Sequence, residues 1–131
     1  MENLDRVIEL VSSSTLPMII ALLKVTIPLT LLSFSLGLVI AIITAVARLS
    51  NIKILKFIFA TYVWIFRGTP LLVQLFIVFY GIPSIGVTLD TWSAATIAFS
   101  LNVGAFASES VRAAILSVPK GQWEAATSLG M

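Results

Sequence analysis

The feature that most constrains this chain is a run of apolar residues from Leu16 to Ala47 that contains a single charge, Lys24. As one helix the run would be about 48 Å long, whereas the hydrocarbon core of a bilayer is about 30 Å thick. A span that begins at Val25 is about 35 Å long and fits with a modest tilt. Lys24 can then reach the outer interface with its ammonium group. The run therefore predicts a first transmembrane helix over residues 25–47.

The composition of the whole chain agrees with a bilayer as its solvent. Of the 131 residues, 59% are hydrophobic and 11% are charged, whereas soluble domains have about 25% charged residues. The apolar residues are continuous, while the strands of an outer-membrane barrel alternate in polarity, so an all-α fold is predicted. The chain has no Cys and no His, which excludes thiol chemistry and the usual zinc sites. We therefore predict no metal and no cofactor. The sequence also lacks the basic clusters with stacking aromatics that nucleic-acid binding requires.

The first 15 residues are predicted to form an interfacial segment. Their apolar residues recur at the spacing of a short amphipathic helix that lies on a membrane surface. These residues are Leu4, Val7, Ile8 and Val11. The four hydroxyl residues 12–15 are expected to end or cap this helix.

A second apolar stretch, residues 57–82, is interrupted by the tetrapeptide Arg-Gly-Thr-Pro at 67–70. Each side is shorter than the roughly 20 residues that a span requires, so we predict one span with the interruption inside the membrane. Pro70 removes the helical hydrogen bond to the Phe66 carbonyl. Irregular backbone at that depth is tolerated only where it faces protein or a watery cavity.

Polar residues of this second span are expected to face the third span. Counted from either end, Arg67 comes out near the middle of the bilayer and level with Asn102. Gln74 shares the face of Arg67 if the helix resumes without rotation. A polar cavity shared by the two spans is therefore a hypothesis. Two roles remain open for Arg67, which either marks a functional path or pairs with helix carbonyls for structural reasons.

A third span is predicted over residues 92–116. Small and polar residues follow one face of this helix at steps of three and four, at about 100° per residue. They are Ala98, Asn102, Ala105, Glu109 and Arg112. Such a face is expected to contact protein or a cavity and not lipid. Glu109 and Arg112 are spaced to form an ion pair, so two roles remain open for Glu109, a structural one in this pair or a functional one on the path.

The distribution of basic residues predicts the orientation. The short segment 48–56 holds Arg48, Lys53 and Lys56, whereas the turn at 83–91 holds no basic residue. Basic loops favour the cytoplasmic side, so the N-terminus is predicted to be outside and residues 118–131 in the cytoplasm. This closing segment has small residues on its surface, which suits it to docking a partner in water.

Three stretches together resemble the membrane-spanning permease subunit of ATP-binding-cassette importers, in the branch that takes up polar amino acids. They are Phe-Arg-Gly-Thr-Pro-Leu-Leu-Val-Gln-Leu at 66–75, Gly-Ala-Phe-Ala-Ser-Glu-Ser-Val-Arg-Ala-Ala-Ile at 104–115, and Gly-Gln-Trp-Glu-Ala-Ala at 121–126 followed by Gly130. The last is similar to the start of the cytoplasmic EAA loop. The resemblance covers about residues 15–131. The chain departs from the family at Phe106, where Tyr is usual, and at Ala113, where Gly is usual.

The resemblance implies a multi-pass helical protein of the bacterial cytoplasmic (inner) membrane with a MetI-like fold. Three transmembrane helices would lie in this chain, within a partial permease domain at 16–131. The family continues through the rest of the loop and two further spans, whereas the chain stops at Met131. We therefore expect either a natural fragment or a shortened form of a longer permease.

The implied function is passage of a polar amino acid through the membrane, coupled to ATP hydrolysis in separate subunits. The chain is not expected to be an enzyme and has no candidate catalytic residue, since it lacks a phosphate-binding glycine loop. Implied partners are cytoplasmic ATP-binding subunits, a second permease subunit that is identical or paralogous, an extracytoplasmic solute-binding protein and membrane lipid. The amino acid carried is left open by the residues.

Two groups of candidate functional residues follow. The candidate substrate path consists of Arg67, Thr69, Gln74, Asn102 and Glu109. The candidate ATPase-coupling residues are Gly121, Gln122, Glu124, Ala125, Ala126 and Gly130. The alternative function is an ion channel or secondary transporter lined by Arg67, Asn102 and Glu109. A docking helix would be superfluous there, so loss of function on changing Gly130 would argue against it.

Overall fold

The computed structural model describes residues 2–131, with side chains from residue 5, and its regular secondary structure over that range is helical. The helices are α1, Glu2–Ala21; α2, Ile27–Leu49; α3, Lys53–Gly68; α4, Leu71–Phe76; α5, Ile82–Ser84; α6, Thr91–Leu116; and α7, Lys120–Ser128. The predicted all-α fold class is confirmed. The chain divides into two compact units, Met1–Leu32 and Ser33–Met131.

Two π-helical turns interrupt the helices, and each is explained by a proline. The turns are Leu22–Thr26 and Ile77–Gly81, and each ends two residues before a proline, Pro28 or Pro83. A proline lacks the amide proton, and its ring clashes with the carbonyl four residues back. That carbonyl lies at the centre of each π turn. The wider turn gives the carbonyl room, and the helix continues with a local change of pitch.

In the first unit, the predicted end of the N-terminal helix at residues 12–15 is wrong, because α1 continues to Ala21. The hydroxyl groups in this segment donate to carbonyls one turn earlier in the same helix. The pairs are Ser12 with Glu9, Ser13 with Leu10, and Thr15 with Val11. Val7, Ile8 and Val11 of the predicted apolar stripe are exposed, while the side chain of Leu4 lies outside the described residues.

In the second unit, α2 and α6 approach each other closely at two glycines. A Cβ added at Gly37 would lie 2.6 Å from Val103, and one added at Gly104 would lie 2.6 Å from Ile40 and 2.8 Å from the Tyr62 hydroxyl. Residues further along α2 contact residues further along α6, so the two helices run parallel. Two small residues of α2, Ser33 and Gly37, are buried. Small residues allow such an approach of two backbones.

Replacement of Gly104 by alanine is expected to destabilise this contact. Its methyl group would overlap Ile40 and displace Tyr62, whose hydroxyl donates to the Leu101 carbonyl. Overpacking of this kind costs about 1–3 kcal/mol. Thermal unfolding of the complete permease in detergent measures the effect. Gly81→Ala is the matched control, because its nearest contact would be an ordinary 3.7 Å to Ile77. Equal shifts for both variants would contradict the close approach at Gly104.

The interruption of the second apolar stretch is a sharp turn of the chain. α3 ends at Gly68, α4 begins at Leu71, and the helices on either side are bent by 110°. The helix therefore does not resume in the same direction, and the condition under which Gln74 would share the face of Arg67 is not met. α4 and the π turn after it pack along α6, where Val78 contacts Ala94 and Ala98 in a small apolar core.

Length and composition single out one membrane-spanning candidate among residues 2–131, the helical stretch Asp5–Leu49. A second is added if the bent pair Lys53–Gly68 and Leu71–Ser84 forms one span. The third predicted span is the single helix α6, one residue longer than expected at its start. Small and polar residues along its packed face make α6 less apolar than the first candidate. Three transmembrane helices therefore remain a prediction.

Asp90 explains where α6 begins. Its carboxylate accepts hydrogen bonds from the backbone amides of Trp92 and Ser93 and from the Ser93 hydroxyl, 2.5 Å away. This satisfies amide groups that a helix N-terminus leaves unpaired. The hydroxyl of Ser93, followed by its amide, holds the pKa of the Asp90 carboxyl below its usual value. The capping interaction is therefore present at neutral pH and weakens as the pH falls through that lowered pKa.

Candidate functional site

A charged cluster lies where the ends of α2, α3 and α6 meet. The Glu109 carboxylate on α6 accepts hydrogen bonds from Arg112, at 3.1 and 3.2 Å, and a short one from Arg48 in the last turn of α2. Its Oε1 atom also lies 3.7 Å from a guanidinium nitrogen of Arg67, near the end of α3. One carboxylate thus interacts with three guanidinium groups. The predicted pair of Glu109 with Arg112 is confirmed.

Arg67 is the exposed member of this charged cluster. Its side chain is 47% exposed, against 17% for Arg48 and 23% for Glu109. The guanidinium carbon lies 5.5 Å from the centre of the Phe106 ring, within the range of a cation–π interaction. The aromatic ring makes this contact. It therefore does not require the hydroxyl group of the Tyr that is usual at this position in the family that the sequence resembles.

The position of Arg67 corrects the predicted register. Arg67 and Arg48 approach the same carboxylate oxygen of Glu109. Arg48 is the penultimate residue of α2, so Arg67 lies near the end of that helix and not level with Asn102. The turn between α3 and α4 is the physical reason, because it directs the end of α3 towards the C-terminal part of α6.

A second polar group holds the break between α3 and α4, and Gln74 is its centre. The side-chain amide nitrogen donates to the Phe66 carbonyl at 2.7 Å, and to the carbonyl and hydroxyl oxygens of Thr69 at 3.0 and 2.9 Å. The side-chain oxygen accepts from Asn102 at 3.0 Å. Pro70 leaves the Phe66 carbonyl without its helical donor, and Gln74 supplies one. Gln74 is 6% exposed, so its hydrogen bonds are made away from solvent.

The structure therefore divides the predicted substrate-path residues between two groups. Thr69, Gln74 and Asn102 join the break to α6, whereas Arg67 and Glu109 belong to the charged cluster. That these residues line a substrate path stays a prediction. Sequence reasoning missed Arg48, which was assigned to a loop. A signal for its role was available, because a carboxylate in an apolar helix needs cationic partners and Arg48 follows directly on the first span.

The closing segment forms the short helix α7, whose end is shaped by Gly130. Gly130 has a φ of 79°. Its amide donates to the Thr127 carbonyl at 3.1 Å, and the Met131 amide donates to the Ala126 carbonyl at 3.1 Å. These bonds define a Schellman motif, in which glycine adopts the left-handed conformation without steric cost. The large apolar side chains Trp123 and Leu129 are 57% and 80% exposed.

Residues 37–131 match the family described as the binding-protein-dependent transport system inner membrane component, and the chain belongs to this family. The chain is 57% identical over 123 residues to an L-cystine transport system permease protein of Bacillus subtilis, covering 94% of this chain and 53% of that protein. It is 38% identical over 117 residues to an arginine transport system permease protein of Bacillus subtilis, covering 88% of this chain and 53% of that protein.

A solved structure gives the same result for the fold. A crystal structure of an amino acid ABC transporter with histidines superposes with a TM-score of 0.81 at 36% identity, over 93% of this chain and 57% of that chain. The resemblance found in the sequence to amino acid permeases of this family is thus confirmed. The chain spans about half the length of the curated relatives it matches, 53% of each of the two named above.

Proposed function

We propose that the chain is part of the permease subunit of an ABC importer for polar amino acids. The observation that carries the proposal is the family match over residues 37–131, together with relatives that are amino acid permeases. The partners are cytoplasmic ATP-binding subunits, a second permease subunit and an extracytoplasmic solute-binding protein. ATP is hydrolysed in the partner subunits and not in this chain. The setting is the bacterial inner membrane, crossed several times by the complete permease.

The proposed orientation places the N-terminus outside and α7 in the cytoplasm. It is supported by the three basic residues at 48–56 and by the absence of basic residues at 83–91. In this orientation the C-terminal end of α2 faces the cytoplasm. The charged cluster then lies towards the cytoplasmic side, because Arg48 is the penultimate residue of α2. The break and α6 form part of the path wall, where Thr69, Gln74 and Asn102 position the helices.

Uptake by the complete transporter tests this function. The permease that contains this chain, reconstituted with its ATP-binding subunits and solute-binding protein, is expected to accumulate a labelled polar amino acid only with ATP. L-cystine is the first substrate to test, because an L-cystine permease is 57% identical to this chain. Uptake driven by an ion gradient without ATP, or ion conductance alone, would contradict the proposal and favour a secondary transporter or channel.

The proposed coupling through α7 predicts a specific effect at Gly130. Gly130→Ala forces an L-residue into the left-handed conformation at about 1 kcal/mol, which loosens the end of α7. ATP-dependent uptake is expected to fall while folding of the membrane part is kept. Gly86→Ala is the matched control, since Gly86 also has a left-handed φ of 92° and an added Cβ there meets nothing within 4 Å, but it lies outside α7. Equal uptake by the two variants would contradict a coupling role for the Schellman motif.

A further inference from the structure

The charged cluster carries more positive charge than its own members neutralise. Arg48, Arg67 and Arg112 supply three positive charges, and Glu109 supplies one negative charge. The difference is a net charge of plus two, concentrated around a single carboxylate. Excess positive charge among apolar helices is costly unless an anion or water accompanies it. The cluster is therefore suited to binding an anion from outside the chain.

The charged cluster forms part of the lining of a pocket. A cavity of about 380 Å³ is lined by the two arginines Arg48 and Arg67, by Glu109, which both arginines approach, and by Ala60, Val63, Trp64 and Gly68. The guanidinium group of Arg67 has free donors here, because its only ionic partner in the described chain is 3.7 Å away. Arginine forks bind planar or tetrahedral oxyanions with two parallel hydrogen bonds.

The mouth of the pocket borders an apolar surface on α3. Trp64 lines the pocket and is 77% exposed. Phe57 lies two helical turns earlier on the same face and is also exposed. A ligand held at the cluster would therefore have its charged end on guanidinium groups and its remainder beside large apolar side chains. This pairing of an oxyanion site with an apolar strip matches the two ends of a membrane lipid.

We propose that the charged cluster binds the phosphate group of an anionic phospholipid, whose acyl chain lies along the Phe57 and Trp64 face of α3. The proposal uses the orientation given above, which puts the end of α2 at the cytoplasmic leaflet. Basic pockets between helices on that side bind the headgroups of anionic lipids. Arg67 donates to the phosphate from the open side, while Glu109 fixes the three guanidinium groups.

Titration with short-chain lipids tests the site. The complete permease in neutral detergent is titrated with dioctanoyl phosphatidylglycerol, with bound lipid counted by native mass spectrometry. Saturable binding is expected, weakened about tenfold in Arg67→Gln, because a charge-assisted hydrogen bond is lost. Arg67→Gln should keep the fold, since Glu109 retains Arg48 and Arg112. Lys53→Gln removes the same charge outside the pocket and is expected to bind as the unchanged protein does.

The other ligands in the titration separate the sources of an oxyanion. Dioctanoyl phosphatidylcholine has the same phosphate and chains with no net charge, and it is expected to bind much more weakly. Inorganic phosphate and the transported amino acid are expected not to displace phosphatidylglycerol. Displacement by either, equal binding of phosphatidylcholine, or an equal loss in Lys53→Gln would each overturn the lipid assignment. ATP-dependent uptake by the unchanged protein is measured separately, so failure of the lipid site is distinguishable from failure of the proposed function.

Discussion

Replacement of Glu109 by glutamine is expected to destabilise the complete permease by about 3 kcal/mol, near the lower end of the range for a broken buried ion pair because the cluster is partly open. The variant leaves Arg48, Arg67 and Arg112 without their shared carboxylate. Three guanidinium groups then repel one another at the ends of three helices. Thermal unfolding in detergent measures the change, and ATP-dependent uptake is expected to fall with it.

Two further variants test whether the effect of Glu109→Gln comes from the charged cluster. Arg112→Gln is expected to have a smaller effect, because Glu109 keeps Arg48 and Arg67 as partners. Adding Arg48→Gln to Glu109→Gln is expected to recover part of the lost stability, because one unpaired positive charge is removed. Glu124→Gln, an identical chemical change on exposed α7, is the control. A shift for Glu109→Gln no larger than that of the control would show that the cluster does not hold the helices together.

Local periodicity explains which parts of the fold were predictable from the sequence. Helix α6 begins one residue before its predicted start and ends where predicted, because its pattern of apolar, small and polar residues repeats at helical spacing. The buried face of that pattern is also confirmed, with Ala98 and Ala105 fully buried and Asn102 bonded to Gln74. These features depend on neighbours along one helix.

Features that depend on distant residues were not predictable in the same way. Pro70 indicates a break in the helix, but it does not indicate the angle of 110°. That angle goes with two contacts to distant residues, the hydrogen bond of Gln74 with Asn102 and the approach of Arg67 to Glu109. Counting residues from either end of the span predicted Arg67 level with Asn102, whereas its guanidinium group lies beside Glu109 and Phe106. Arg48 was missed because its partner Glu109 is 61 residues away in the sequence. The hydroxyl residues 12–15 predicted the end of a helix, although hydroxyl groups can equally donate to backbone carbonyls within a helix.

Gln74→Glu is expected to open the break between α3 and α4. The substitution keeps the size of the side chain but replaces the donating nitrogen with a second oxygen. Oxygen atoms would then face the Phe66 carbonyl and both oxygens of Thr69, which now receive hydrogen bonds from that nitrogen. Two carbonyls lose their donor in a largely buried place, where an unpaired polar group costs about 1–3 kcal/mol. A loss of at least that size in the free energy of unfolding is expected.

Comparison with Gln74→Leu and Asn102→Ala identifies which bonds matter. Gln74→Leu removes the donor without adding a carboxylate, so its effect is expected to be smaller than that of Gln74→Glu. Asn102→Ala breaks only the link to α6 and leaves the bonds to Phe66 and Thr69, so its effect is expected to be the smallest of the three. A double-mutant cycle between the two positions measures their coupling. Gln122→Glu on α7 is the control for the chemical change. If Gln74→Glu unfolds at the same temperature as that control, the amide does not hold the break, and the 110° turn must be maintained by the packing of α4 on α6 alone.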